Sequence, residues 1–84
     1  MSERKVTILS SYGEVANTGQ GTGVVRVGIR VPAQTHNPDR LLRGVAWGVA
    51  TQNGHRKIAP VGPIDTIPDE TGTVWHRAVY NVGR

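Results

Sequence analysis

The stretch Asn37 to Gly54, NPDRLLRGVAWGVATQNG, decides the fold. It carries the start and stop signals of one helix. Asn37 is a good N-cap, because its side chain can accept from the free amides of the first turn. Pro38 suits the first helical position, where its missing N–H would have no partner anyway. Asp39 follows where the helix dipole favours a negative charge. At the other end Asn53 is followed by Gly54, which is free to take the left-handed conformation that closes a helix. A helix is therefore predicted over about 38–53. At about 100° per residue, Leu41, Leu42, Val45, Ala46 and Val49 form one apolar stripe. Val45 and Val49 are expected in the core. Trp47 falls outside the stripe, near Arg40 and Arg43, and is expected at least partly at the surface. Gly44 and Gly48, one turn apart, allow another backbone to come close, either the sheet beneath or the helix of a second copy.

Strand patterns flank this helix. Val24 to Val31 alternates cleanly, with Val25, Val27, Ile29 and Val31 on one face and Val24, Arg26, Gly28 and Arg30 on the other. Pro32 ends it. Lys5 to Tyr12 reads as an earlier strand, joined to it by the Gly-rich connection 13–23. After the helix, His55-Arg56-Lys57 is a short basic turn. Ile58 to Ile67 is β-like but broken by Pro60, Pro63 and Pro68, so it is expected as an edge strand or an extended crossing. Pro68 to Gly72 is a polar turn. Thr73 to Val82 is the last strand. The order is β-β-α-β-β, an α+β fold. A small antiparallel or mixed sheet is covered on one face by a single helix, and residues 1–84 form one domain.

Composition narrows the chemistry. The chain of 84 residues has no Cys and no Phe, so its core is aliphatic and neither disulfides nor thiolate metal sites are available. So small a domain buries a modest fraction of its surface, and a homodimer is one expected way of gaining stability. No apolar run approaches the roughly 18 residues that span a membrane, and the cytoplasm is the expected compartment. Ten Lys+Arg oppose six Asp+Glu, a formal net charge of +4. Eight of the ten are Arg, the residue type that forks onto phosphates and stacks on flat rings.

Catalytic and cofactor patterns are weak. Gly19-Gln20-Gly21-Thr22-Gly23 resembles a phosphate loop in composition alone. It runs into a strand rather than a helix and lacks the Lys-Ser/Thr pair. His36, His55 and His76 have no metal-ligand spacing. Ser2, Ser10 and Ser11 lie in no nucleophile motif, and Asp65, Asp69 and Glu70 surround a Pro-rich turn. The sequence predicts neither an enzyme, nor a cofactor, nor a metal site.

The last strand is more informative. One face carries Val74, His76, Ala78, Tyr80 and Val82; the other carries Thr73, Trp75, Arg77, Val79 and Asn81. The first set suits the core, provided that His76 finds a hydrogen-bond partner or an edge position. The second set matches the outer face of strand two. Arg26, Arg30, Trp75 and Arg77 are therefore expected together on an open sheet face, with Gly28 leaving room for a base or ring. Cations for phosphate and an aromatic for stacking are the composition of a nucleic-acid platform. The leading expectation is a small, basic, non-enzymatic accessory protein that binds DNA or RNA on this face. The alternative is a protein-interaction module, an inhibitor or adaptor of the kind phages and mobile elements encode. It would meet a partner protein through Arg40, Arg43 and Trp47 on the helix, or through an edge strand.

Overall fold

Val25, Val27, Ile29 and Val31, the apolar face of the alternating strand, are all completely buried, and the rest of the molecule is arranged to cover them. The computed structural model describes residues 8–19, 21–69 and 72–83. Its elements are β1 (Ser10–Gly19), β2 (Thr22–Pro32), α1 (Pro38–Gln52), β3 (Lys57–Pro60), β4 (Asp65–Pro68) and β5 (Thr73–Gly83). The strands form one antiparallel sheet in the order β1-β2-β5-β3, and β4 also pairs with β5. β3 takes the Tyr80–Gly83 end of that edge of β5, and β4 takes the Val74–Arg77 end. β2 and β3 run the same way, but β5 lies between them, so no parallel pair forms. The α+β class read from the sequence is the one observed, with five strands instead of four.

Two differences come from the strands. β1 runs through the stretch expected to be a Gly-rich connection, and positions 5–7 of the expected first strand lie outside the described residues. β1 pairs residue by residue with β2 from Ser10↔Arg30 to Asn17↔Gly23, and the register then shifts before Gly19↔Thr22. The turn itself needs positive φ at Gly19 (104°) and Gly21 (80°), which glycine adopts at no steric cost. The second difference is the segment 58–67. It is two short strands, because proline lacks the N–H that a continuous ladder requires. The edge location holds.

The helix begins and ends differently from one another. Asn37 makes no side-chain cap; its backbone is left-handed (φ 53°, ψ 55°), and Pro38 follows at once. Asn is one of the few residues besides Gly that visit this region routinely, so Asn37 turns the chain into the helix by conformation. At the C-terminus Gly54 has φ 83°. Its N–H donates to Thr51 O at 3.1 Å, and the N–H of His55 donates to Ala50 O at 2.9 Å. This crossed pair is the Schellman closure.

Leu42, Ala46 and Ala50, spaced four apart, are the fully buried line of α1, while Leu41, Val45 and Val49 pack half-buried along one side of it. Val45 and Val49 are thus flanks of the core rather than its centre. The close approach comes from the sheet: a Cβ at Gly13 would lie 2.5 Å from Val49 Cγ2. Gly44 and Gly48 do not serve this purpose, since a Cβ at either would meet nothing within 4 Å. Tyr80 and Val82 of β5 complete the core, at 5% and 4% exposure. Each fully buried Val, Leu or Ile contributes roughly 1.5–3 kcal/mol. His76 also faces inward at 8% exposure and has the partner it needs, Thr66 Oγ1 at 3.2 Å from Nδ1. His55, in the stretch read as a short basic turn, is buried and donates from Nε2 to Asn17 Oδ1 at 3.2 Å. It ties the end of the helix to β1.

Candidate nucleic-acid interface

The sheet face opposite α1 follows from register. Residues directly opposite on neighbouring strands share a face. One row across the sheet is Tyr12, Gly28, Arg77 and Asp65. The next row is Ser10, Arg30, Trp75 and Ile67. On the other side lies the row Glu14, Arg26 and Val79, followed by Ala16, Val24, Asn81 and Ala59. Arg26, Arg30, Trp75 and Arg77 therefore share one face, as the alternation predicts.

Tyr12 joins them. The space above Gly28 is not vacant: a Cβ there would overlap the Tyr12 ring, whose hydroxyl lies 2.8 Å away. The Tyr12 and Trp75 rings are tilted by 42° with centroids 6.0 Å apart, within the range of favourable aromatic pairs. Tyr12 is 38% exposed, and Trp75 is half-buried. Sequence reasoning missed Tyr12 because it ended the first strand there. With the strand starting at Ser10, Tyr12 falls opposite Gly28.

The three arginines differ in engagement. Arg30 donates from Nε to Thr73 Oγ1 at 3.2 Å and lies 3.6 Å from Asp69 Oδ2. It ties Asp69, just past β4, to Thr73 at the start of β5. Arg77 lies 3.8 Å from Asp65 Oδ2, with both side chains well exposed. Such a pair is worth about 0–1 kcal/mol, and a phosphate can replace the carboxylate at little cost. Arg26 is exposed, stands opposite Glu14, and is in no ion pair among the described residues. Three cations on this face thus meet three carboxylates, Glu14, Asp65 and Asp69.

The helix side is not balanced in this way. Arg40, Arg43 and Trp47 are all exposed, Trp47 at 46%. A groove of about 720 Å³ runs between α1 and β3, lined by Arg43, Trp47, Arg56 and Lys57 together with β3 and the end of β5. No carboxylate among the described residues lines it. Nearby, burial pushes the Tyr80 hydroxyl above its usual pKa, with Arg43 opposing the shift and Asp39 adding to it.

Among the described residues no group of three or more His, Asp or Glu side chains is placed to hold a metal ion, and no helix is long and apolar enough to cross a membrane. No protein family, no curated protein and no solved structure matches the chain.

Proposed function

We propose that this is a small non-enzymatic nucleic-acid-binding protein that receives a single strand on its open sheet face. The observation that carries this reading is the Tyr12–Trp75 ring pair, 6.0 Å between centroids, set among Arg26, Arg30 and Arg77 on the face turned away from α1. Bases stack on the rings, and Arg26 and Arg77 take phosphates. Stacking tolerates every base, so sequence preference is weak. Three carboxylates balance the arginines, so affinity here depends on stacking more than on charge. The same reading places the protein in the cytoplasm, where such strands occur and where a chain without cysteine loses nothing to reduction.

The test is anisotropy of labelled single- and double-stranded DNA and RNA across a salt series. Single strands are expected to bind more tightly than duplex. Trp75→Ala is expected to cost about 1–3 kcal/mol of binding, and Tyr12→Ala a comparable amount. Binding that ignores both substitutions ends the reading. The competing reading, a protein partner on α1 through Arg40, Arg43 and Trp47, draws on the exposure of Trp47, since Trp and Arg are enriched at interface hot spots. Absence of any nucleic-acid affinity at low salt favours it, as does a dimer that Trp47→Ala converts to a monomer.

A further inference from the structure

We infer that the groove between α1 and β3 is a second phosphate-binding part of the nucleic-acid site, with Arg43, Arg56 and Lys57 as its cations and Trp47 as a second stacking surface. The inference rests on the nucleic-acid reading above and adds a location that this reading does not contain. Charge distribution is the first argument. The sheet face sets three arginines against three carboxylates, two of them in ion pairs at 3.6 and 3.8 Å. Among the described residues the groove has three cations and no lining carboxylate. Among the described residues none of Arg43, Arg56 and Lys57 is in an ion pair. Arg43 and Trp47 are four apart on α1 and so lie side by side. Arg56 and Lys57 approach the same space from the start of β3. Among the described residues three cations are therefore gathered beside an exposed indole, with Asp39 one turn before Arg43 as the nearby carboxylate.

Continuity is the second argument, and it selects a nucleic-acid strand over an acidic protein segment. Asn81 and Ala59 face the open side of the sheet, in the row beyond Arg26 and Val79. Both also line the groove. A strand leaving the Tyr12–Trp75 pair along β5 reaches the groove by passing around the β3 edge, without crossing the core or the helix. From Trp75 to Asn81 is roughly 20 Å at about 3.3 Å per residue, which is within the span of the 4–16 nucleotides typical of small single-strand sites.

The two tryptophans make the two surfaces separately readable in the full chain. Trp75→Phe leaves Trp47 as the reporter of the groove, and Trp47→Phe leaves Trp75 as the reporter of the sheet face. Each is titrated with an oligothymidylate of about twelve nucleotides and with poly-glutamate as an acidic polypeptide. The oligothymidylate is expected to quench Trp47, and poly-glutamate at equal charge is not. Substituting Arg43, Arg56 and Lys57 together with Gln is expected to reduce the log–log salt slope by about 2, from about 0.7 per phosphate contact on a single strand. The same figure corresponds to a loss of salt sensitivity of roughly 20-fold between 50 and 200 mM. All three side chains are exposed, and an unchanged circular dichroism spectrum checks that the variant folds. If Trp75 responds and Trp47 does not, or if the slope is unchanged, the groove inference is overturned and the sheet-face reading survives. If Trp47 alone responds to the oligothymidylate, the groove is supported and the sheet face is ruled out as a contact. Equal quenching of Trp47 by poly-glutamate assigns the groove to acidic protein and overturns the inference. Silence of both reporters ends both.

Discussion

Gly13 and Gly28 each leave a gap that a side chain from another element occupies, on opposite faces of the sheet. Val49 of α1 seats on Gly13, and the Tyr12 ring lies over Gly28. The two gaps respond differently to a methyl group. Val49 is β-branched and stiff, so Gly13→Ala lifts the helix and is expected to cost about 1–3 kcal/mol in urea unfolding. The Tyr12 ring can swing outward into solvent, so Gly28→Ala is expected to leave stability nearly intact. It separates Tyr12 from Trp75, with a loss of near-UV circular dichroism and weaker strand binding. His76 supplies a pH dependence. Burial lowers its pKa below the ordinary 6.5. As pH falls below about 6.5 the unfolded chain takes up a proton that the folded chain refuses, so stability declines until the folded-state pKa is passed. Replacing His76 with Asn, which can still reach Thr66, is expected to flatten that part of the stability–pH curve. A slope unchanged by the substitution assigns the effect elsewhere. At this scale the sequence marked Gly28 as an opening and His76 as a residue in need of a partner. It did not show what fills the opening or that Thr66 is the partner, because both depend on strand bounds and pairings that alternation alone leaves undetermined.

At the scale of elements, α1 and β2 were legible because each carries a complete period and its own stop signal. β1 was not. Its glycines at 13 and 19 and the polar run Asn17-Thr18 carry turn chemistry, yet the segment pairs with β2 along most of its length. Tertiary pairing overrode local propensity. The proline-interrupted segment was recognised as an edge but not as two strands sharing the edge of β5. α1 gives a sharper test. Nothing lies within 4 Å of a Cβ at Gly44 or Gly48, and neither has positive φ. Ala at either position is therefore expected to stabilise the helix by up to about 1 kcal/mol, read as a raised melting temperature. Destabilisation by Gly44→Ala and Gly48→Ala together points instead to a second helix packed on this face, a contact between copies.

Across the whole molecule the layers are thin: the principal extents are 44 × 31 × 18 Å, one sheet and one helix deep. The sequence showed that the chain is basic but not where the surplus lies, because charge position depends on which strands are neighbours. β5 has β2 on one side and shares its other side between β3 and β4. It follows the other described elements in the chain and is the one around which they assemble. Until Thr73–Gly83 has left the ribosome, β3 and β4 have no strand to pair with, and the buried face of β2 lacks Tyr80 and Val82. The β1–β2 hairpin and α1 wait meanwhile as a partial structure, at a synthesis rate of about 5–20 residues per second. Nascent chains arrested with β5 still in the exit tunnel are expected to be cleaved by added protease. Those arrested once β5 is clear are expected to resist it, in a single step. Folding is then tied to the completion of one strand, and the aliphatic face of β2 is open to chaperones, or to other unfinished chains, until that strand arrives.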